Sequence, residues 1–173
     1  MIPSNRWARS TASRARSAPQ LLSFEHLPQL HQRTAELIAP CRLRRHAQLL
    51  QAPLEPWSDA TGSYSYYSQL ERITAAAIAL RRKRQLPLRR VLVIVDGPPG
   101  ATGPQARYPA LLQAIPADPA RPLQITLLLD DLIRADEQAT AVAWQNLLSD
   151  CGIPSSRRDL PFEKGAMELC FPL

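Results

Sequence analysis

Apolar residues fall into runs of two kinds along the chain. Val91-Leu92-Val93-Ile94-Val95 is continuous and mostly β-branched, which predicts a strand buried on both faces, as in the centre of a parallel sheet. It stops at Asp96, and Gly97-Pro98-Pro99-Gly100-Ala101-Thr102-Gly103-Pro104 then punctuates the chain before a helix can begin near Pro109. Leu123 to Leu129 predicts a second buried strand, ending in Asp130-Asp131. Gln20 to His26 reads as a short strand ending in an acid, and Ala47 to Leu54 as another extended stretch. Between them Leu27, Leu30, Thr34, Leu37 and Ile38 share one helical face, and Pro40 stops the helix.

The remaining segments complete the alternation. Glu55 to Tyr67 reads as a loop rich in proline and aromatics, followed by a helix over Gln69 to Lys83. A helix over Ala135 to Ser149 is expected to bury Ala139, Val142, Ala143 and Leu147, with Cys151-Gly152 closing it. Gly165 to Phe171 alternates as a strand with one wetter face, and the turn at Pro161 to Gly165 would make the last two strands antiparallel. Strand and helix in alternation predict an α/β fold: a Rossmann-like, doubly wound, mostly parallel sheet with an antiparallel C-terminal strand.

With 173 residues, 45% apolar and 21% charged, the composition suits one globular domain over 19–173, preceded by a basic segment over 1–18. The net charge of +6 rests on arginine, since Lys83 and Lys164 are the only lysines. Arg81-Arg82-Lys83-Arg84 is expected as a solvated helix end, because no aromatic residue is interleaved for base stacking, and nucleic acid is not an expected partner. Cys41, Cys151 and Cys170 fit neither a disulfide framework nor a zinc site, which favours buried thiols in the cytoplasm. Residues 1–18 have a transit-like composition, but no apolar core follows them, which excludes a secretory signal. No apolar run approaches membrane-spanning length. Gly97 to Gly103 is no phosphate loop, because Pro104 and Gln105 stand where Lys and Ser or Thr are required.

The order Phe24-Glu25-His26, Gln51-Ala52-Pro53-Leu54, Ser65-Tyr66-Tyr67, Val95-Asp96-Gly97-Pro98-Pro99-Gly100, Ala106-Arg107-Tyr108-Pro109-Ala110-Leu111 and Leu129-Asp130-Asp131 with Arg134 resembles a class I S-adenosylmethionine-dependent methyltransferase of the bacterial Asp-Gly-Pro-Pro-Gly type. The resemblance implies S-adenosylmethionine as cofactor and methyl transfer to an O or N acceptor. Glu25 then holds the ribose hydroxyls, Gln51, Ala52 and Pro53 approach the adenine, and Asp96 faces the methionine end and serves as the catalytic acid or base. Ser10, Thr11, His26, Gly97 and Pro98 complete the implied cofactor set. Arg107, Tyr108 and Tyr67 are implied at a small-molecule or glycan-like acceptor, and Tyr64 and Tyr66 wall the pocket. The chemistry suits these types independently: a carboxylate accepts two hydrogen bonds from a vicinal diol and offsets a sulfonium charge.

The sequence departs from the pattern at its beginning. Ser10-Thr11 stands fifteen residues before His26, so Arg6 and Ala8 take the places of the loop glycines, and nothing before them reads as the family's first, central strand. The expectation is a chain truncated before the glycine loop, either as a gene model starting late or as a remnant, with strand edges left open to a second copy. The rival is a non-catalytic α/β scaffold or interaction module descended from a methyltransferase. Bland readings also stand beside individual residues. Glu25 could end a strand at the surface, the tyrosines could cover a sheet edge, and Asp130-Asp131 could join Asp96 around a divalent metal or cap a helix and pair with Arg134.

Overall fold

The computed structural model describes residues 21–41, 47–59, 62–69, 71–72, 75, 89–114 and 123–172. Ser10, Thr11, the basic segment over 1–18, His46 and most of the helix expected over Gln69 to Lys83 lie outside the described residues. Among the described residues no helix is long and apolar enough to cross a membrane.

The first unit is a right-sized βαβ piece. Strands β1 (Leu21–Glu25) and β2 (Ala47–Gln51) are parallel, with Glu25 level with Gln51, and helix α1 (Pro28–Ile38) connects them. A proline in the first turn of α1 presets its φ without losing a hydrogen bond that a helix start could make. The buried face of α1 is not the predicted one. Leu27, Leu30 and Leu37 are exposed, whereas His31, Ala35 and Ile38 are half-buried. A helix lying on two strands has a floor wide enough for one narrow strip, so the wider apolar stripe is left in solvent.

The segment expected as a loop over Glu55 to Tyr67 is instead a β-hairpin. Strands β3 (Leu54–Asp59) and β4 (Gly62–Tyr67) pair antiparallel, with Trp57 opposite Tyr64. Pro56 is tolerated because a two-stranded ribbon has free outer edges on which a missing N–H breaks no ladder. Tyr64 and Tyr66 share one buried face, and the Trp57 and Tyr66 rings meet edge to face with centroids 6.4 Å apart.

The main sheet has the order β5-β6-β8-β7, formed by β5 (Arg89–Val95), β6 (Leu123–Asp130), β7 (Ser156–Leu160) and β8 (Ala166–Pro172). β5 and β6 are parallel, and β8 runs antiparallel to both of its neighbours, β6 and β7. The antiparallel C-terminal strand expected after the turn at Pro161 to Gly165 is therefore present, with Gly165 at φ +65°, and its partner across that turn, β7, is a strand not read in the sequence.

One face of this sheet carries the core. Cross-strand pairs Ile125 with Phe171, Leu127 with Leu169 and Leu129 with Met167 are buried under α2 (Pro109–Ala114) and α3 (Ala135–Asp150), with Leu111, Trp144 and Leu148 in the same cluster. Each such side chain contributes about 1.5–3 kcal/mol by leaving water. Trp144 Nε1 donates to the Tyr108 carbonyl at 2.9 Å, which fixes α3 against the start of α2.

Further expectations are not met by the described residues. β5 is not buried on both faces: Leu92 and Ile94 are 61% and 62% exposed, because α2 and α3 share the opposite face. The described residues therefore form an α/β architecture with parallel pairs, covered by helices on one face of the main sheet, and they do not display a doubly wound one. On α3 the buried residues are Glu137, Thr140, Ala141, Trp144 and Leu148, while Val142 is exposed. Two polar residues lie on that face with partners of their own, so the apolar spacing was misleading. Cys41 and Cys151 are exposed free thiols, contrary to the expectation of burial, and Cys170 is half-buried.

Candidate functional site

The carboxyl ends of β1, β2 and β5 converge with the end of β4. Ala52 N–H donates to the Glu25 carbonyl at 2.8 Å, and Ser68 N–H donates to the Pro53 carbonyl at 2.9 Å. Gln69, held at φ +62°, donates from Nε2 to the Gln51 carbonyl at 2.7 Å. These bonds tie the exit of the hairpin to the segment Gln51-Ala52-Pro53. Ala52 is fully buried, and Gln51 and Pro53 are exposed.

Glu25 occupies the last position of β1. Its Oε1 accepts from the Leu27 N–H at 2.9 Å and lies 3.3 Å from His26 Nδ1. The first contact caps the entry to α1, and a carboxylate has further lone pairs for other donors.

Tyr67 joins this end to β5. Its ring lies edge-on to His26 at 6.0 Å and tilted to Phe24 at 6.4 Å. Its hydroxyl stands over Gly97, so closely that a Cβ there would overlap it. Burial first, and then the negative charge of Glu25, push the Tyr67 phenol above its ordinary range; Asp96 acts in the same direction and Arg107 opposes it. One phenol therefore senses both acids. Asp96 itself is exposed just beyond Val95, and Pro98, after a cis Gly97–Pro98 bond, is fully buried. Gly103, at φ +140°, admits the Tyr64 Cβ against its backbone, where any side chain would collide with it. Gly97 and Gly103 thus seat the β3–β4 hairpin.

Arg107 has a different place from the one expected at an acceptor. It is 3% exposed, and its Nη1 donates to the Asp130 carbonyl at 3.0 Å while Nη2 donates to the Asp96 carbonyl at 3.1 Å. It thus clamps the carboxyl ends of β5 and β6 from within. Asp131 Oδ2 and Glu137 Oε1 lie 3.5 Å and 3.4 Å from its guanidinium. Burial pushes the Glu137 carboxyl above its ordinary range despite the nearby Arg107 and Arg134 charges. Tyr108 is buried as well, its carbonyl accepting from Trp144.

Asp96, Asp130 and Asp131 bring one carboxylate oxygen each within 4.8 Å of one another. Those are hard oxygen donors of a type that suits magnesium or calcium. Asp131, however, already has Arg134 Nη2 at 3.0 Å, Lys164 Nζ at 3.7 Å and Arg107 at 3.5 Å, so three cations neutralise the buried member. The pair with Arg134 expected from the sequence is present, but the start of α3 is Arg134 without a side-chain cap. Asp131 adopts φ +60°, a conformation aspartate tolerates, and Leu132 and Ile133 N–H groups bond Gly165 and Lys164 carbonyls beyond it.

Sequence reasoning missed Glu137, Lys164 and Gln69. Glu137 lies on nearly the opposite side of α3 from the expected apolar face, and Lys164 is distant in sequence from Asp131, so no local pattern points to either. Gln69 carried no signal beyond standing next to the tyrosines.

No protein-family model matches the chain, and no curated protein matches it. A solved structure, "METTL16 MTase domain (crystal form 2)", aligns with a TM-score of 0.46 and 10% identity over 88% of this chain and 49% of that one, so the chain spans about half the length of that domain. A likeness of that degree assigns neither a family nor an activity to this chain.

Proposed function

We propose that the chain binds S-adenosylmethionine across the carboxyl ends of β1, β2 and β5 and transfers its methyl group to an oxygen or nitrogen of a small-molecule or glycan-like acceptor. The observation that carries this reading is the placement of Tyr67, whose ring packs on His26 beside Glu25 and whose hydroxyl stands over Gly97 beside Asp96, so that the acid-bearing ends of two separate parallel strand pairs face one side chain. Ligands in open α/β sheets lie outside the carboxyl ends of parallel strands, where these residues stand. The motif order read in the sequence points to the same positions.

Under this reading each residue has a defined task. Glu25 accepts hydrogen bonds from a ribose diol, and Gln51, Ala52 and Pro53, level with it on the neighbouring strand, line the adenine. His26, Gly97 and Pro98 complete the wall, while Ser10 and Thr11, assigned to the cofactor from the sequence, lie outside the described residues. Asp96 offsets a positive sulfur centre. Bound S-adenosylmethionine supplies an electrophilic methyl group, which needs chiefly an acceptor aligned behind the carbon–sulfur bond. Asp96 takes the proton that the acceptor nucleophile loses. Tyr67, its phenol kept protonated, donates a hydrogen bond that orients the acceptor. Arg107 holds the two strand ends in register and does not touch the acceptor.

The second reading, a non-catalytic module, draws on the bond from Leu27 N–H to Glu25 and on the placement of Tyr67 over Gly97, since both give these residues local structural work. Calorimetry of S-adenosylmethionine with the full chain separates the two. Saturable binding that weakens at least tenfold in Glu25→Gln and in Asp96→Asn supports the enzyme. Absence of binding by a folded wild-type chain supports the module.

A further inference from the structure

Strand β7 pairs with β8 along one edge, and among the described residues no strand pairs with the other. Free edges are ordinarily guarded by shortness, charged side chains, prolines or bulges, and a charged edge blocks a second copy only where its charges do not complement themselves. The edge sequence Ser156-Arg157-Arg158-Asp159-Leu160 carries opposite charges two positions apart.

Its side chains alternate as a strand requires. Arg157 lies on the α3 side of the sheet, with Nη1 on Gln145 Oε1 at 3.0 Å and Nε on Asp159 Oδ1 at 2.7 Å. Arg158 lies on the other face, bound to Glu168 Oε2 at 2.8 Å.

We propose that β7 is the interface of a homodimer, in which two copies of β7 pair antiparallel about a two-fold axis through Arg158 and join two four-stranded sheets into one of eight. In that register Arg157 of each chain stands opposite Asp159 of the other, so the edge is complementary to itself and the ion pair within each strand is extended across the axis. The two Arg158 side chains meet at the axis, each already neutralised by its own Glu168. Ser156 stands opposite Leu160, which leaves no charge facing an apolar residue.

An open cleft of about 520 Å³ runs between β7, α3 and the β7–β8 turn, with Ile133, Val142 and Leu160 in its walls beside the charged Arg157, Asp159 and Lys164. Ile133, Val142 and, on the adjoining turn, Phe162 are 70%, 50% and 62% exposed in the single chain. The same two-fold brings a second α3 alongside the first and shields this apolar rim.

Sedimentation equilibrium of the full chain, at concentrations from about 1 to 100 µM, tests the interface without reference to any cofactor. The wild type is expected to dimerise in that range. Arg157→Asp sets two acids opposite one another across the axis, and Asp159→Arg sets two arginines there, so each variant alone is expected to be monomeric. An equimolar mixture of the two restores opposite charges at both pairs and is expected to recover the dimer. Circular dichroism of each variant confirms that it is folded. A monomeric wild type, variants that dimerise as well as it does, or folded variants whose mixture stays monomeric would overturn the proposal.

Discussion

Tyr67 lies over Gly97 with its hydroxyl in the place a side chain on that residue would take, and this contact joins the end of the hairpin to the end of β5. Gly97 needs no left-handed backbone; it is glycine because of its neighbour. Gly97→Ala is therefore expected to cost about 1–3 kcal/mol, the range for overpacking a filled site. Tyr67→Phe removes the overlapping oxygen, so the double variant should recover most of that loss in chemical denaturation. Additive losses in the double variant would show that the contact does not set the fit.

Arg107 makes a second prediction. It is buried between the carbonyls of Asp96 and Asp130 and the carboxylates of Asp131 and Glu137. Arg107→Ala strands the buried Glu137 and two carbonyls, while Asp131 keeps Arg134 and Lys164, a loss of about 3–5 kcal/mol by the usual cost of breaking a buried pair. Thermal unfolding of the variant should fall by about 10 °C or more for a chain of this size. Lysine at 107 should rescue little, since one ammonium cannot span both strand ends.

Tyr66 gives a pH dependence. Burial first, then the neighbouring Tyr67 and Tyr64, raise its phenol well above the ordinary value near 10. The folded chain thus keeps a proton that the unfolded chain releases, so the stability this group supports is whole below pH ~10 and declines as pH rises beyond it. Denaturant titrations between pH 8 and 11 should show that decline, up to about 1.4 kcal/mol per pH unit for one group. Tyr66→Phe should flatten it. An unchanged slope in that variant would assign the alkaline loss to other groups.

The strands and the acids that end them were legible in the sequence because continuous β-branched runs and their punctuation are local signals. β1, β5, β6 and β8 lie where apolar residues run or alternate, and Glu25 and Asp96 stand at the ends of β1 and β5, whereas β7, with three charges in five residues, gave no such signal. The β3–β4 hairpin was hidden by Pro56 and by a dense cluster of aromatics, although Tyr64 and Tyr66 do alternate with serines. Arg107 was expected at the acceptor, just beyond the turn, because burial of a cation depends on acids and carbonyls brought in by other elements. The faces of α1 and α3 were misjudged for the same reason: the width of the floor beneath a helix, and the partners of Glu137 and Thr140, are tertiary facts.

The central claim is that an adenosyl sulfonium lies between Glu25 and Asp96. Ultraviolet cross-linking of methyl-tritiated S-adenosylmethionine to the full chain, followed by peptide mapping, reads the location itself. The expected result is label in peptides carrying residues 24–27, 51–53 or 96–98, suppressed by excess S-adenosylhomocysteine. Label confined to other peptides, or none that the competitor displaces, would contradict it.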